Sequence, residues 1–330
     1  MKPRKVVLAT SRAITAARLA RRIAELPGYE ICGQAPDLSA AYILAESCEP
    51  ELLLVGAELA RQPDFEGLLS LLRVIGIAWK EIPEGAGRFG DTRAFPDEGD
   101  APALERWMAE VTQPRARASS PVVPAAPIRA TAAFQPDRVI LIGASTGGID
   151  ALLTILGGFP ADCPPTLIVQ HTGAAFSDSL IRLFARCTVA RVVAAGSGIA
   201  LTPGMIMVGA GSPGHLRLDP SRPYRSDLSA GAPVSGHLPS IDVLFRSAVP
   251  FGPSVVAALL TGMGRDGARG LLELRRAGAT TFAQDEASST VYGMPRAAAE
   301  LGAACETLPL ERIAAALLQA CQKKPAPAVR

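Results

Sequence analysis

The chain has 330 residues, 48% of them hydrophobic and 19% charged, with a formal net charge of +2. That length predicts two domains with sizeable cores rather than disorder, and the near balance of charge gives no ground for nucleic acid or an anionic membrane as an obligate partner. No apolar run approaches the roughly 18 residues of a transmembrane helix, and six scattered cysteines with no Cys-x-x-Cys read as free thiols of a cytoplasmic protein.

Residues 5–111 alternate between two periodicities. Lys5–Thr10 follows basic residues but is too short for a signal-peptide core, and reads as a first strand. Ala13–Leu26 is an amphipathic helix stopped by Pro27-Gly28. A strand over Tyr29–Ala35, a helix over Leu38–Ser47 and a buried strand over Glu51–Gly56 follow. Further on, Leu68–Leu72 reads as helix, Val74–Trp79 as a fourth strand, and Ala103–Val111 as a closing helix, after a weakly patterned stretch at 81–100. Repeated strand–helix units imply a parallel sheet covered by helices. Residues 112–136 contain five prolines, many Ala and Ser, and no acidic residue, the composition of a semi-extended linker whose arginines (Arg115, Arg117, Arg129) face solvent.

From Val139 the alternation resumes. Val139–Ile142 is a run of four apolar β-formers that breaks into Gly143-Ala144-Ser145-Thr146-Gly147-Gly148 and then a helix over Ile149–Leu156. Thr166–His171 is a buried strand, Phe176–Ala185 a helix and Val189–Ala194 a strand. Met205–Val208 and His215–Leu218 suggest a hairpin. A helix over Ser240–Ser247, capped by Ser240, precedes the strand Val255–Leu260, the turn Thr261–Gly267 and a helix to Arg276. The strand Thr280–Gln284 and the helices Pro295–Leu301 and Leu310–Gln322 complete the domain.

The glycine-rich turn after Val139–Ile142 organises this half. A strand that turns directly into a helix lifts its loop above the carboxyl edge of a sheet, where clefts form and unpaired helix N–H groups point outward. The turn lacks Gly-x-Gly-x-x-Gly spacing and the Lys-Ser/Thr of a P-loop. Alone, it leaves nucleotide binding and nucleophilic catalysis both open. Two other strand ends carry chemistry, His171 and Asp266. With Ser145 they make the set that acyl transfer needs: a nucleophile, a base, and a carboxylate that fixes the base's tautomer. Taken singly each has a plainer explanation, as turn serine, structural histidine and turn aspartate; their joint placement on strand ends favours catalysis. His215, in the expected hairpin, reads as a surface residue, and His237 as a loop residue able to line a cleft but without a strand end to hold it. Asp242 is a second carboxylate able to orient the base. No two histidines have ligand spacing, so no metal is expected.

The segments Gly143–Gly148, Gln170-His171, Pro239–Phe245, Leu260–Gly267, Gln284–Ser288 and Tyr292–Arg296, in this order, resemble the catalytic domain of the chemotaxis protein-glutamate methylesterases, the CheB family. The resemblance spans residues 139 to about 320. It implies Ser145 as nucleophile, His171 as base and Asp266 as orienting acid. By the same analogy Thr146 and the backbone N–H of Met263 border the oxyanion site, and Gly147 and His237 belong to the oxyanion and substrate site. The implied reaction removes methyl esters from glutamates on chemoreceptor cytoplasmic helices, releasing methanol, and extends to glutamine deamidation, with no cofactor. Leu238 departs from the His-Arg-Pro-Ser run usual in the family.

The first domain resembles the receiver domain that precedes this catalytic domain. A receiver needs acidic residues after its first strand, an Asp ending its third, and a Lys before Pro near its fifth. Here these positions read Ala9-Thr10-Ser11, Gly56 and Phe95-Pro96. The expectation is therefore an α/β chain of two doubly wound parallel-sheet domains: a degenerate receiver-like domain (1–112), a Pro/Ala-rich linker (113–136) and a serine methylesterase catalytic domain (137–325). The first has no phosphoacceptor, and serves to engage a chemotaxis kinase or other signalling partner. The rival readings are a dinucleotide-dependent oxidoreductase built on the Gly143–Gly148 loop and a non-catalytic signalling scaffold.

Overall fold

A computed structural model describes residues 3–62, 76–82, 101–111, 133–174, 177–219 and 223–323, with isolated positions 65, 68, 69, 72 and 221. The chain divides into two compact units, Met1–Ser120 and Pro121–Arg330.

The first unit contains a parallel sheet in the order β2-β1-β3-β4, with β1 Arg4–Ala9, β2 Tyr29–Ala35, β3 Leu52–Gly56 and β4 Ala78–Ile82. β3 is buried along its whole length, as its unbroken Leu-Leu-Leu-Val run requires of a central parallel strand. Helix α1 (Ala13–Ala24) turns Leu19 and Ile23 into the core. Helix α2 (Leu38–Cys48) starts at Asp37, whose Oδ1 accepts the Ala40 N–H at 2.7 Å. A short α3 (Ala57–Ala60) follows β3 directly. Helix α4 (Ala101–Val111) adds Leu104, Trp107 and Met108 to the core. The fourth strand begins four residues later than the sequence pattern suggests, because Gly76 takes a positive φ and turns the chain just before it. Most of the helix expected at Leu68–Leu72 has described positions, all buried; the linker at 113–132 and Phe95-Pro96 lie outside the described residues.

At the carboxyl edge of this sheet Gly56 ends β3, as read from the sequence. A carboxylate nevertheless occupies the space beside it. Glu58 Oε1 accepts the Thr10 hydroxyl at 2.6 Å and the Ser11 N–H at 2.9 Å. A β-carbon on residue 56 would lie 2.5 Å from the Glu58 carboxylate oxygens. Burial pushes the Glu58 carboxyl up, but the donors from Thr10 and the neighbouring backbone more than offset it and hold it below its usual range.

The second unit is built on a seven-stranded parallel sheet, β13-β12-β11-β5-β6-β8-β7. Its strands are β5 Val139–Ala144, β6 Thr166–Gln170, β7 Arg191–Ala194, β8 Met205–Ala210, β11 Val255–Leu259, β12 Thr280–Gln284 and β13 Glu306–Leu308. Helices α5 (Gly148–Gly157), α6 (Ser177–Cys187), α7 (Ile241–Ser247), α8 (Ala268–Arg276), α9 (Met294–Glu300) and α10 (Leu310–Ala320) connect and cover them. Val139 and Leu141 share a core with Leu244, Phe245 and Leu271, while Ile140 and Ile142, on the opposite face by the two-residue period, are equally buried. From β5 the chain first builds outward through β6, then returns to lay β11 on the other side. The strand order thus reverses at β5, the place where open α/β sheets form their sites.

The expected hairpin of Met205–Val208 with His215–Leu218 does not form. β8 pairs in parallel with β6 and β7, whereas β9 (His215–Asp219) pairs antiparallel with β10 (Arg225–Ser229) in a separate ribbon. β8 is buried on both faces, which suits the main sheet, while β9 buries Leu216 and Leu218 and exposes Arg217.

Candidate active site

Ser145 and His171 occupy the next positions beyond the paired ends of neighbouring strands, Ala144 on β5 and Gln170 on β6. The His171 N–H donates to Ala144 O at 3.1 Å, and the Ser145 N–H to Thr261 O at 3.0 Å. Two buried glutamines brace the edge. Gln170 Nε2 donates to the carbonyls of Ser145 and His171, each at 2.9 Å, and Gln284 Oε1 accepts the Thr261 N–H at 2.8 Å. The loop after β11 is thereby pressed against the serine: a β-carbon on Gly262 would lie 2.6 Å from Ser145 Cβ.

The turn from Ser145 into α5 is tight. The Gly148 N–H donates to Ser145 O at 2.7 Å, and Gly147 adopts the left-handed backbone that glycine alone takes freely. Among the described residues, no hydrogen bond uses the N–H groups of Thr146, Gly147 or Met263. Such donors beside a serine hydroxyl suit a developing oxyanion. Met263 is also 59% exposed, an apolar side chain at the rim. The same turn packs closely on its neighbours, since β-carbons on Gly143, Gly147 and Gly148 would meet Ile241, Thr290 and Gln170.

Asp266 is buried and accepts from five donors. His171 Nε2 lies 3.0 Å from Oδ2, which also accepts the Ile241 N–H at 2.8 Å. Oδ1 accepts the Ser240 hydroxyl at 2.8 Å and the Asp242 and Gly267 N–H groups at 3.1 Å. Burial raises the Asp266 carboxyl, but the hydrogen bond and charge of His171 and the Ile241 and Ser240 donors outweigh it and hold it below the usual range. A charged Asp266 fixes the proton on Nε2 of a neutral His171. Nδ1, buried and without a hydrogen-bond partner among the described residues, is then the basic nitrogen. Asp242 does not compete for this role. Its Oδ1 accepts the Gly270 N–H at 2.7 Å, and burial pushes its carboxyl up.

The other two histidines differ from their sequence reading. His215 is a buried residue rather than a surface one: Nδ1 accepts the Ser240 N–H at 3.1 Å and Nε2 pairs with Ala232 O at 3.0 Å. His237 lies flat on His171, with ring centroids 3.7 Å apart and planes 8° from parallel. Sequence reasoning gave no role to Ser240 beyond a helix cap, nor to Gln170 and Gln284. A polar residue closing each of two apolar strands was the available signal for the glutamines.

The sequence profile described as CheB methylesterase matches residues 140–317, more than half of the chain. The chain belongs to the CheB methylesterase family. It is 37% identical to a protein-glutamate methylesterase/protein-glutamine glutaminase of Gluconobacter oxydans, over 96% of this chain and 94% of that protein. It is equally similar, at 37%, to protein-glutamate methylesterase/protein-glutamine glutaminase 1 of Caulobacter vibrioides, over 89% of this chain and 90% of the relative. Among solved structures, the Thermotoga maritima CheB methylesterase catalytic domain superposes with a TM-score of 0.53 at 29% identity, covering 55% of this chain and 97% of that domain.

Proposed function

We propose that this CheB-family chain hydrolyses γ-methyl esters of glutamates on chemoreceptor cytoplasmic helices, with Ser145, His171 and Asp266 as its catalytic set. The single observation that carries the reading is the buried His171–Asp266 contact at 3.0 Å, made where the strand order reverses and next to Ser145. Ser145 Oγ attacks the ester carbonyl as its proton passes to His171 Nδ1. The carbonyl oxygen, now negative, is held by the N–H groups of Thr146 and Met263, with Gly147 beside them. The imidazolium gives its proton to the departing methoxide, which leaves as methanol. Water then repeats the sequence on the acyl-enzyme and returns a free glutamate and Ser145. Ammonia leaves in place of methanol if the substrate is a glutamine side chain.

No step calls on a cofactor. A dinucleotide-dependent reading is disfavoured by Gln170 and His171 standing where a ribose-binding acid would be needed. The first unit is read as a degenerate receiver that engages a kinase or other signalling partner in the cytoplasm without accepting phosphate. No described helix is long and apolar enough to cross a membrane. Incubating the full chain with methylated receptor fragments should release methanol, and the Ser145→Ala chain should not. Equal release from both would remove the proposal.

A further inference from the structure

The segment from Ala232 to Asp242 touches both partners of the catalytic dyad. At its far end the Ser240 hydroxyl and the Ile241 and Asp242 N–H groups bind the Asp266 carboxylate. In its middle, His237 covers one face of the His171 ring. The segment is itself pinned. Ser235 and Gly236 both take positive φ, and Val234 and His237 exchange backbone hydrogen bonds at 3.0 Å, the pattern of a two-residue hairpin turn. Buried His215 holds it at two points, Ala232 O and Ser240 N.

We propose that His237 is a positioning residue for the reaction, a flat ring that fixes the plane of the His171 imidazole. The physical need is specific. The Asp266 hydrogen bond holds the ring at Nε2 alone and does not by itself fix the ring's plane. Among the described residues Nδ1 has no hydrogen bond to steady it, yet it must meet the serine proton in line. A ring stacked at 3.7 Å and nearly parallel opposes that rocking, because tilting either ring brings their atoms together. The stack also requires an uncharged partner, since His171 becomes positive during each turnover. Burial, and then the charge of His171, disfavour protonation of His237, while Asp266 acts in the opposite sense.

This inference rests on the esterase reading, so its test includes a measurement independent of the natural substrate. The full chain and its His237→Ala and His237→Phe variants are compared in methanol release and in the rate at which a fluorophosphonate probe labels Ser145. Removing the ring should lower kcat and the labelling rate together by roughly tenfold to a hundredfold, with KM little changed, as expected for a misplaced catalytic group. Phenylalanine, flat but unable to titrate or donate, should restore both to within about threefold of the parent, because the stack rather than a ring nitrogen does the positioning. The proposal is overturned if alanine leaves both rates unchanged, if phenylalanine is no better than alanine, or if the loss falls on KM. A parent that labels at Ser145 but releases no methanol would sink the ester substrate alone, and labelling would still decide the role of His237. A parent that does neither would overturn both.

Discussion

Replacing Asp266 by asparagine changes one atom of a carboxylate that holds five donors, and the structure says which of them lose. Keeping the amide oxygen at Oδ1 preserves the bonds from Ser240 Oγ, Asp242 N and Gly267 N. The NH₂ group then stands at Oδ2, against the Ile241 N–H and His171 Nε2. The Ile241 N–H loses its acceptor in a buried site, a cost of about 1–3 kcal/mol. His171 must turn its Nε2 lone pair to the amide, which moves its proton to Nδ1, the nitrogen that should take the proton of Ser145. The base is then in the wrong tautomer, and kcat for methanol release should fall about 10⁴-fold, the scale of that defect in serine hydrolases. Stability should respond to pH with a definite sign. The native carboxyl is held below its unfolded value, so its contribution is full above about pH 3.9, the ordinary Asp pKa, and is lost as pH falls through the lower native value. Urea unfolding of the two proteins should therefore show a gap at neutral pH that narrows in acid. A folded Asp266→Asn enzyme within about tenfold of parental kcat would refute the assignment of the base nitrogen and its partner.

Ser145→Ala should cut ester hydrolysis by roughly 10⁴-fold or more with the fold intact by circular dichroism; near-normal turnover would end the serine mechanism. His171→Ala should abolish turnover. His215→Ala should instead lower stability, since the Ser240 N–H and Ala232 O lose their partner, and should reduce turnover far less than His171→Ala; the reverse ranking in a methanol assay would reassign the base. The first unit should take up no phosphate from acetyl phosphate in Mg²⁺, because Gly56 offers no carboxylate and Asp37 is engaged as a helix cap. An acyl phosphate found on it by mass spectrometry, with a matching rise in esterase rate, would overturn that reading.

Much of the framework is legible because it rests on strong local signals. Val139–Ile142, Leu167–Val169 and Leu52–Val55 are apolar throughout, and each lies in a buried parallel strand. Ser145, His171 and Asp266 stand out because each follows such a run. The ribbon is not legible because the connection at 209–214, rich in Gly and carrying Pro213, looks like a hairpin loop, yet Gly211 at positive φ takes the chain out of one sheet and into another. Six consecutive buried residues in β8 against the exposed Arg217 in β9 mark the difference. The contacts of the segment 232–242 are hidden for another reason. Apolar residues (Val234, Leu238, Ile241) alternate with polar ones, glycine and proline in no regular period, and the contacts are with residues far away in sequence, which no local pattern encodes.

The carboxylate of Glu58 also decides what an acidic residue at position 56 would meet. An aspartate placed there would not enter a vacant pocket. The new side chain would enter where the Glu58 oxygens already lie, 2.5 Å from its own β-carbon, and they would have to shift. Changing Glu58 first would instead leave the Thr10 hydroxyl and the Ser11 N–H without the acceptor they share. Positions 56 and 58 are therefore coupled, and the effect of an acidic residue at one depends on what stands at the other.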